Sequence, residues 1–155
     1  MNLLNAGIVA GTTSTFTVTT TTRGVINGKY VTPVTAASNL TGILVDVNTG
    51  VAFLPMVDNQ ECVFVLGQNA AGSVKVAQGP IIDTLAGVTT TPGAAINTYS
   101  QFPNLPDDFL PLAYIVIKTA PSSSGFVWGT TDYSTSGLDD TWVDVGVLPD
   151  RPQFS

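Results

Sequence analysis

The sequence lacks histidine and contains one cysteine and five basic residues among 155. Without histidine, the chain has neither the commonest general base nor the commonest metal ligand of proteins. With a single cysteine, Cys62, it cannot form an intrachain disulfide. No cationic residue stands beside Cys62 in the sequence to stabilise a thiolate, so we expect a buried and unreactive thiol.

Charge of either sign is scarce: charged residues make up 10% of the chain, and the formal net charge at pH 7 is −6. Phosphate backbones are bound by clusters of lysine and arginine, so the composition argues against nucleic acid and against anionic membrane surfaces as partners. No apolar run approaches the ~18 residues that a membrane-spanning helix needs. The first residues also lack the basic start of a secretory signal, and we expect none.

Hydrophobic residues are plentiful, at 44%, and threonine and glycine are abundant. The densest β-forming run extends from Leu112 to Lys118. Both of its alternating faces are apolar, with Leu112, Tyr114 and Val116 on one of them, which predicts a central strand covered on both sides and ending in solvent at Lys118. The dipeptide Asn27-Gly28 between apolar residues predicts a tight β-hairpin.

Further strands are predicted where β-branched and aromatic residues are bounded by Gly, Asn or Pro. These segments are residues 15–22, 42–47, 51–54, 62–66, 73–77, 126–129 and 141–148. Strands at such short spacing predict one all-β domain over residues 1–155, a compact antiparallel sandwich or barrel of short hairpins with extended terminal segments. We divide it into an N-terminal arm (1–14), a β core (15–148) and a C-terminal tail (149–155).

No catalytic constellation is evident. Three acidic pairs are candidates for glycosidase carboxylates or calcium ligands: Asp107-Asp108, Asp139-Asp140, and Asp58 with Glu61. None has further acidic neighbours at the spacing that calcium needs, and adjacent aspartates point in different directions, so we interpret all three as turn or surface charge. Serines 122–124 have no histidine to activate them. We therefore predict a non-enzyme with no catalytic residue, cofactor or metal.

Two terminal segments are candidates for contact with a partner. Phe16 and Val18 share one face of the threonine-rich strand, which we place at a sheet edge or a subunit contact. The proline-containing tail carries Arg151 and Phe154 and suits docking on a neighbouring surface.

An aromatic group in the last quarter of the chain allows a second interpretation. If Trp128, Tyr133 and Trp142 were exposed in a row, they could stack on sugar rings. Each tryptophan lies in a strand-like run, so we favour a place in the core for both.

The order of several segments resembles that of small virion proteins of tailed phages. The segments that carry this resemblance are residues 41–47, 62–67 with 72–79, 102–106 with 111–118, and 147–152. Over about residues 40–152 the chain is similar to head decoration (cement) proteins and related head-fibre proteins. The resemblance implies an all-β protein, often a homotrimer, that binds the major capsid protein of the same virion on the outer capsid surface.

Further expectations follow from this resemblance. The protein would stabilise the shell without an active site and would assemble in the host cytoplasm. Two alternatives remain open: a carbohydrate- or receptor-binding module of a phage fibre or tail, and a glycosidase or lyase built on an acidic pair.

Overall fold

A computed structural model describes residues 1–96, 99–150 and 152, and within these ranges the chain forms eleven β-strands and no helix. None of the described residues therefore belongs to a helix long and apolar enough to cross a membrane. The strands are β1 (Asn2–Leu4), β2 (Ile8–Ala10), β3 (Phe16–Val18), β4 (Arg23–Ile26), β5 (Lys29–Tyr30), β6 (Ala37–Leu40), β7 (Gln60–Gln68), β8 (Val74–Gln78), β9 (Ile82–Asp83), β10 (Leu110–Thr119) and β11 (Leu138–Asp144).

The main sheet has the strand order β11-β10-β7-β8, and β9 pairs with the beginning of β7. All of its pairs are antiparallel, and Ile115 at the middle of β10 faces Phe64 on one side and Trp142 on the other. Strand β10 contains the run predicted to be central, and its residues are buried on both faces of the sheet. This prediction is confirmed.

One detail of the central strand differs from the alternation expected from the sequence. The register between β10 and β7 shifts between Pro111 and Ala113, which is a β-bulge. A bulge inserts one extra residue and reverses the faces on the two sides of it. Leu112 therefore joins the same core as Ala113, whereas Tyr114 and Val116 face the opposite side.

The two faces of the main sheet are covered by different parts of the chain. One face packs against two small sheets, β1-β4-β5 and β2-β3-β6, which bring Ile8, Phe16, Val18 and Ile26 into the larger core. The other face is covered by the segment before β10, through Phe102 and Phe109, and by residues after β11. Three antiparallel sheets pack together without closing into a barrel, which confirms the all-β prediction and fits its sandwich form.

The predicted hairpin at Asn27-Gly28 is confirmed. Strands β4 and β5 pair through Ile26 and Lys29, and the two residues between them have φ of 50° and 75°. A two-residue turn of this kind needs positive φ at both positions, which Asn and Gly tolerate best.

The first fourteen residues are part of the same fold as the segment after them. Strand β1 pairs with β4 and β2 pairs with β3, while Ala6 and Ile8 are buried. The predicted division at residue 14 therefore does not separate an arm from the core. Of the predicted tail, Pro149 is half-buried, Asp150 is exposed and Pro152 is buried, whereas residues 151 and 153–155 lie outside the described residues.

Several predicted strands are shorter, displaced or reduced to one bridge. Residues 42–47 and 51–54 meet through a single bridge, Val45 to Ala52, and the segment 126–129 has only the bridge from Phe126 to Met56. The threonine run 15–22 is a strand at Phe16–Val18 alone, and the last strand begins at Leu138. Pairing with a neighbouring strand decides these boundaries, and the composition of a segment does not contain that information.

Candidate functional site

The predicted sugar-stacking residues do not form an exposed row. Trp128 and Tyr133 are 3% and 7% exposed, and the Trp128 ring centroid lies 5.0 Å from that of Phe64 in the core. Trp142 is partly buried, meets the Tyr133 ring edge to face, and donates its indole N–H to Asp140 at 2.6 Å. The core placement that we favoured is confirmed for Trp128, and the stacking platform is not present.

The predicted partner contacts at Phe16 and Val18 are also corrected. The two side chains are 2% and 1% exposed, and the Phe16 ring packs 6.3 Å from the Trp128 ring. Strand β3 is the middle strand of its sheet and not an edge, and both side chains belong to the chain's own core, so they offer no surface to a partner. Arg151 and Phe154 lie outside the described residues.

The acidic pairs do not converge on a site. Asp107 and Asp108 are exposed in the turn before β10, and Asp58 is exposed while Glu61 is buried. Within residues 1–96, 99–150 and 152, no three His, Cys, Asp or Glu side chains are grouped closely enough to hold a metal ion.

Glu61 is a buried carboxylate with a charged neighbour beside it. Lys118 pairs in register with Glu61 on β7 and with Asp139 on β11, and its Nζ lies 3.5 Å from Glu61 Oε2. Burial raises the pKa of Glu61, and the Lys118 ammonium opposes this rise. The prediction that Lys118 ends its strand in solvent is wrong, since its side chain is 24% exposed and is engaged in this pair.

The pair between Glu61 and Lys118 is a structural feature of the sheet. With 2% of its side chain exposed, Glu61 has no surface on which a substrate could be bound. A buried charge without its partner is costly, so the pair ties β7 to β10.

Cys62 is buried as predicted. Its thiol donates to the Gly79 carbonyl oxygen at 3.3 Å, and burial raises the pKa of the thiol to about 12. The thiolate, which is the reactive form, is therefore absent at neutral pH.

A groove with a volume of about 580 Å³ opens beside the end of β8. Three segments far apart in sequence form its walls: the turn at 46–49, residues 78–80, and residues 101–104. We call it the polar groove, and its lining residues are Asp46, Asn48, Thr49, Gln78, Gly79, Pro80, Gln101, Phe102, Pro103 and Asn104.

Hydrogen bonds hold two walls of the polar groove together. The Asp46 carboxylate accepts the Gln78 backbone N–H at 2.9 Å and the Thr49 backbone N–H at 3.0 Å. Gln78 in turn exchanges two side-chain hydrogen bonds with the Leu54 backbone, at 2.8 and 2.9 Å. The turn at 46–49 is therefore attached to the edge of β8 before any ligand arrives.

The third wall is held by close packing. A Cβ at Gly79 would lie 2.8 Å from the Gln101 carbonyl oxygen, so only glycine lets this segment approach. Phe102 meets the buried Tyr114 ring edge to face, with centroids 5.0 Å apart. The groove is thus formed by the fold itself and does not depend on loop closure.

Apolar side chains form a second kind of surface. Residues 43–54, which we call the apolar hairpin, expose Leu44, Val45, Val51 and Leu54, and the Asp46 carboxylate within them is turned inward. A further group at the start of the chain, the amino-terminal patch, consists of Met1, Leu3, Leu4 and Val147. The Asn2 backbone N–H donates to the Gly146 carbonyl at 3.1 Å, which brings the segment that carries Val147 beside β1.

Comparison with known proteins identifies no relative. No protein-family model matches the chain, and neither the curated proteins nor the solved structures compared with it give a match.

The sequence indicated some parts of these surfaces and missed others. Residues 42–47 and 51–54 were predicted as strands, but nothing in either segment shows that the turn between them faces residues 101–104. The apolar hairpin had a local signal, since Leu44, Val45, Val51 and Leu54 fall within one short segment. Their exposure was not predicted, because the same pattern fits a strand buried on both faces.

Proposed function

We propose that this protein is a non-enzymatic virion structural protein, and specifically a capsid decoration protein that binds the major capsid protein on the outer surface of the shell and stabilises it. The observation that carries the proposal is the apolar hairpin, which exposes four large side chains in a chain with very few charges. The resemblance of residues 40–152 to decoration and head-fibre proteins supports the same conclusion.

The apolar hairpin suits contact with a protein surface. Burial of a Leu or Val side chain stabilises by about 1.5–3 kcal/mol when the side chain starts fully exposed, and these four start roughly half exposed. Four such contacts give a modest interface, and repetition of that interface over a shell raises the total binding through avidity. An accessory protein of this kind needs many copies and no reactive group.

A homotrimer is part of the proposal. The amino-terminal patch is a second apolar surface, separate in sequence from the apolar hairpin, so one surface is available for contact between copies while the other meets the shell. Ring-like assemblies with heterologous contacts are natural on the symmetry axes of a capsid. Mass measurement in solution tests this part, and a strictly monomeric protein at high concentration would contradict it.

Co-sedimentation with capsids tests the main proposal. Capsids assembled from the major capsid protein of the same genome should carry the purified protein into the pellet, whereas the unassembled coat subunit should not retain it. The double variant Val51→Asp, Leu54→Asp should sediment much less, because two carboxylates would have to be desolvated at the contact.

The control is Tyr30→Asp, which places one added carboxylate on an exposed residue of β5 that belongs to neither apolar surface. This variant should bind as the unmodified protein does. Failure of the unmodified protein to bind assembled capsids would refute the proposal, and equal losses in the variant and the control would refute the role of the apolar hairpin.

A further inference from the structure

The polar groove has side chains available to a ligand. Asn48, Thr49, Gln101 and Asn104 are exposed along its rim, and the partly buried Phe102 lies between the last two. Its volume of about 580 Å³ falls within the range of roughly 300–1,000 Å³ typical of small-molecule sites. Two of its walls are joined by the hydrogen bond from the Gln78 backbone N–H to Asp46, and the third is held by the close approach of Gln101 to Gly79, so the site exists without a ligand.

The lining disfavours charged ligands. Among the described residues that form it there is no lysine or arginine, and the single carboxylate, Asp46, would repel phosphates and acidic groups. That carboxylate is a poor cation ligand as well, since both of its oxygens already accept backbone N–H groups. A site with neither a cation nor an available anion favours a neutral ligand.

The lining also argues against an extended peptide as the ligand. A peptide that adds to a sheet edge needs unpaired backbone groups along that edge. Here the Gly79 N–H donates to the Val63 carbonyl at 2.7 Å, the Val76 carbonyl accepts the Val47 N–H at 2.9 Å, and the Gln78 N–H is taken by Asp46. The edge of β8 is therefore already occupied by the chain itself.

Neutral ligands rich in hydroxyl groups fit the lining of the polar groove. Side-chain amides both donate and accept hydrogen bonds, as sugar hydroxyls do, and the rim carries three of them in Asn48, Gln101 and Asn104. Phe102 adds an apolar ring against which the C–H face of a sugar could pack. We propose that the polar groove is a binding site for a neutral carbohydrate of one to a few rings.

This proposal does not rest on capsid binding, and it differs from stacking on Trp128, which is buried. The experiment is saturation-transfer NMR on the full chain with neutral oligosaccharides of glucose, galactose, mannose and N-acetylglucosamine, each tested alone. Heparin serves as the charged comparison. We expect transfer to at least one neutral oligosaccharide and none to heparin.

The double variant Gln101→Ala, Asn104→Ala should weaken that binding by about tenfold, because two net hydrogen bonds are lost. These side chains are exposed, so the fold should persist, which an unchanged thermal unfolding midpoint would verify. Phe102→Ala should weaken binding too, but its contact with Tyr114 makes it the less clean variant.

Tyr30→Ala is the control, because it removes an exposed aromatic residue that does not line the groove and lies in a different sheet from β8. It should leave binding unchanged. The proposal is overturned if no neutral oligosaccharide shows transfer, if heparin is preferred, or if the double variant binds as well as the unmodified protein.

Discussion

The ion pair between Lys118 and Glu61 gives a quantitative test of the fold. At the observed 3.5 Å between Nζ and Oε2, two unit charges attract by about 5 kcal/mol for an effective dielectric constant near 20. Lys118 is 24% exposed, so solvent reduces this figure. Removal of one member of a buried pair typically costs ~3–5 kcal/mol because the other charge is left uncompensated. We take the lower end, about 3 kcal/mol, for Lys118→Met at pH 7.

The reciprocal change should be much milder. Glu61→Gln removes the charge that is buried most deeply, and the ammonium of Lys118 that remains is close enough to the surface to be hydrated. Burial outweighs the attraction of Lys118 in its effect on the pKa of Glu61, which indicates that the carboxylate is held at a net cost. We therefore expect Glu61→Gln to change the free energy of unfolding by less than about 1 kcal/mol.

The dependence on pH distinguishes this explanation from a simple loss of packing. Because the folded-state pKa of Glu61 is raised, the folded protein binds more protons than the unfolded chain between the ordinary glutamate pKa of ~4.3 and the folded value. The contribution of Glu61 to stability is therefore greatest below that interval and falls as the pH rises through it. Glu61→Gln should remove this decline.

Urea denaturation over a series of pH values measures the cost of Lys118→Met, the effect of Glu61→Gln and the dependence of stability on pH. The cost of Lys118→Met should shrink as the pH falls through the raised pKa of Glu61, because protonated Glu61 no longer needs a partner. Equal costs for the two variants at pH 7, or a cost of Lys118→Met that does not change with pH, would refute the reasoning.

Three further predictions concern the core. Gly67→Ala should lower the free energy of unfolding by about 1–3 kcal/mol in urea denaturation, because a methyl group there would collide with the neighbouring strand. Its control is Gly146→Ala, which should be nearly neutral because the added methyl group has ordinary contacts. Phe64→Ala should cost ~3–5 kcal/mol by the same assay, because this fully buried ring contacts three other aromatic rings. In Trp142→Phe, the remaining Trp128 should resist acrylamide quenching until the protein unfolds, and strong quenching of the native state would contradict its burial.

Much of the architecture could be predicted because its causes are local. The central strand was recognisable from an apolar run on both faces, and the turn at Asn27-Gly28 from the need for positive φ. Strand lengths were less predictable. Residues 42–47 have the composition of a strand, yet they form no ladder with a neighbouring strand. Their hydrogen bonds lie mainly within the turn that begins at Asp46 and between this turn and the edge of β8.

The candidate sites were the least predictable part. The stacking hypothesis depended on exposure of Trp128 and Tyr133, and the contact hypothesis on exposure of Phe16 and Val18. All four are apolar residues in strand-like segments, and a segment alone does not tell which of its faces will be covered. The polar groove depends on segments separated by more than twenty residues, for which no local signal exists.

The sequence by itself determined that this chain is all-β, poor in charge and without histidine chemistry, because composition and the two-residue period of a strand act at short range. Only the tertiary structure decided that Leu112 changes faces at a bulge, that Glu61 meets Lys118, and that the turn at 46–49 faces residues 101–104 across a groove. These outcomes depend on the register and contact of distant strands, which are settled when the whole core packs together.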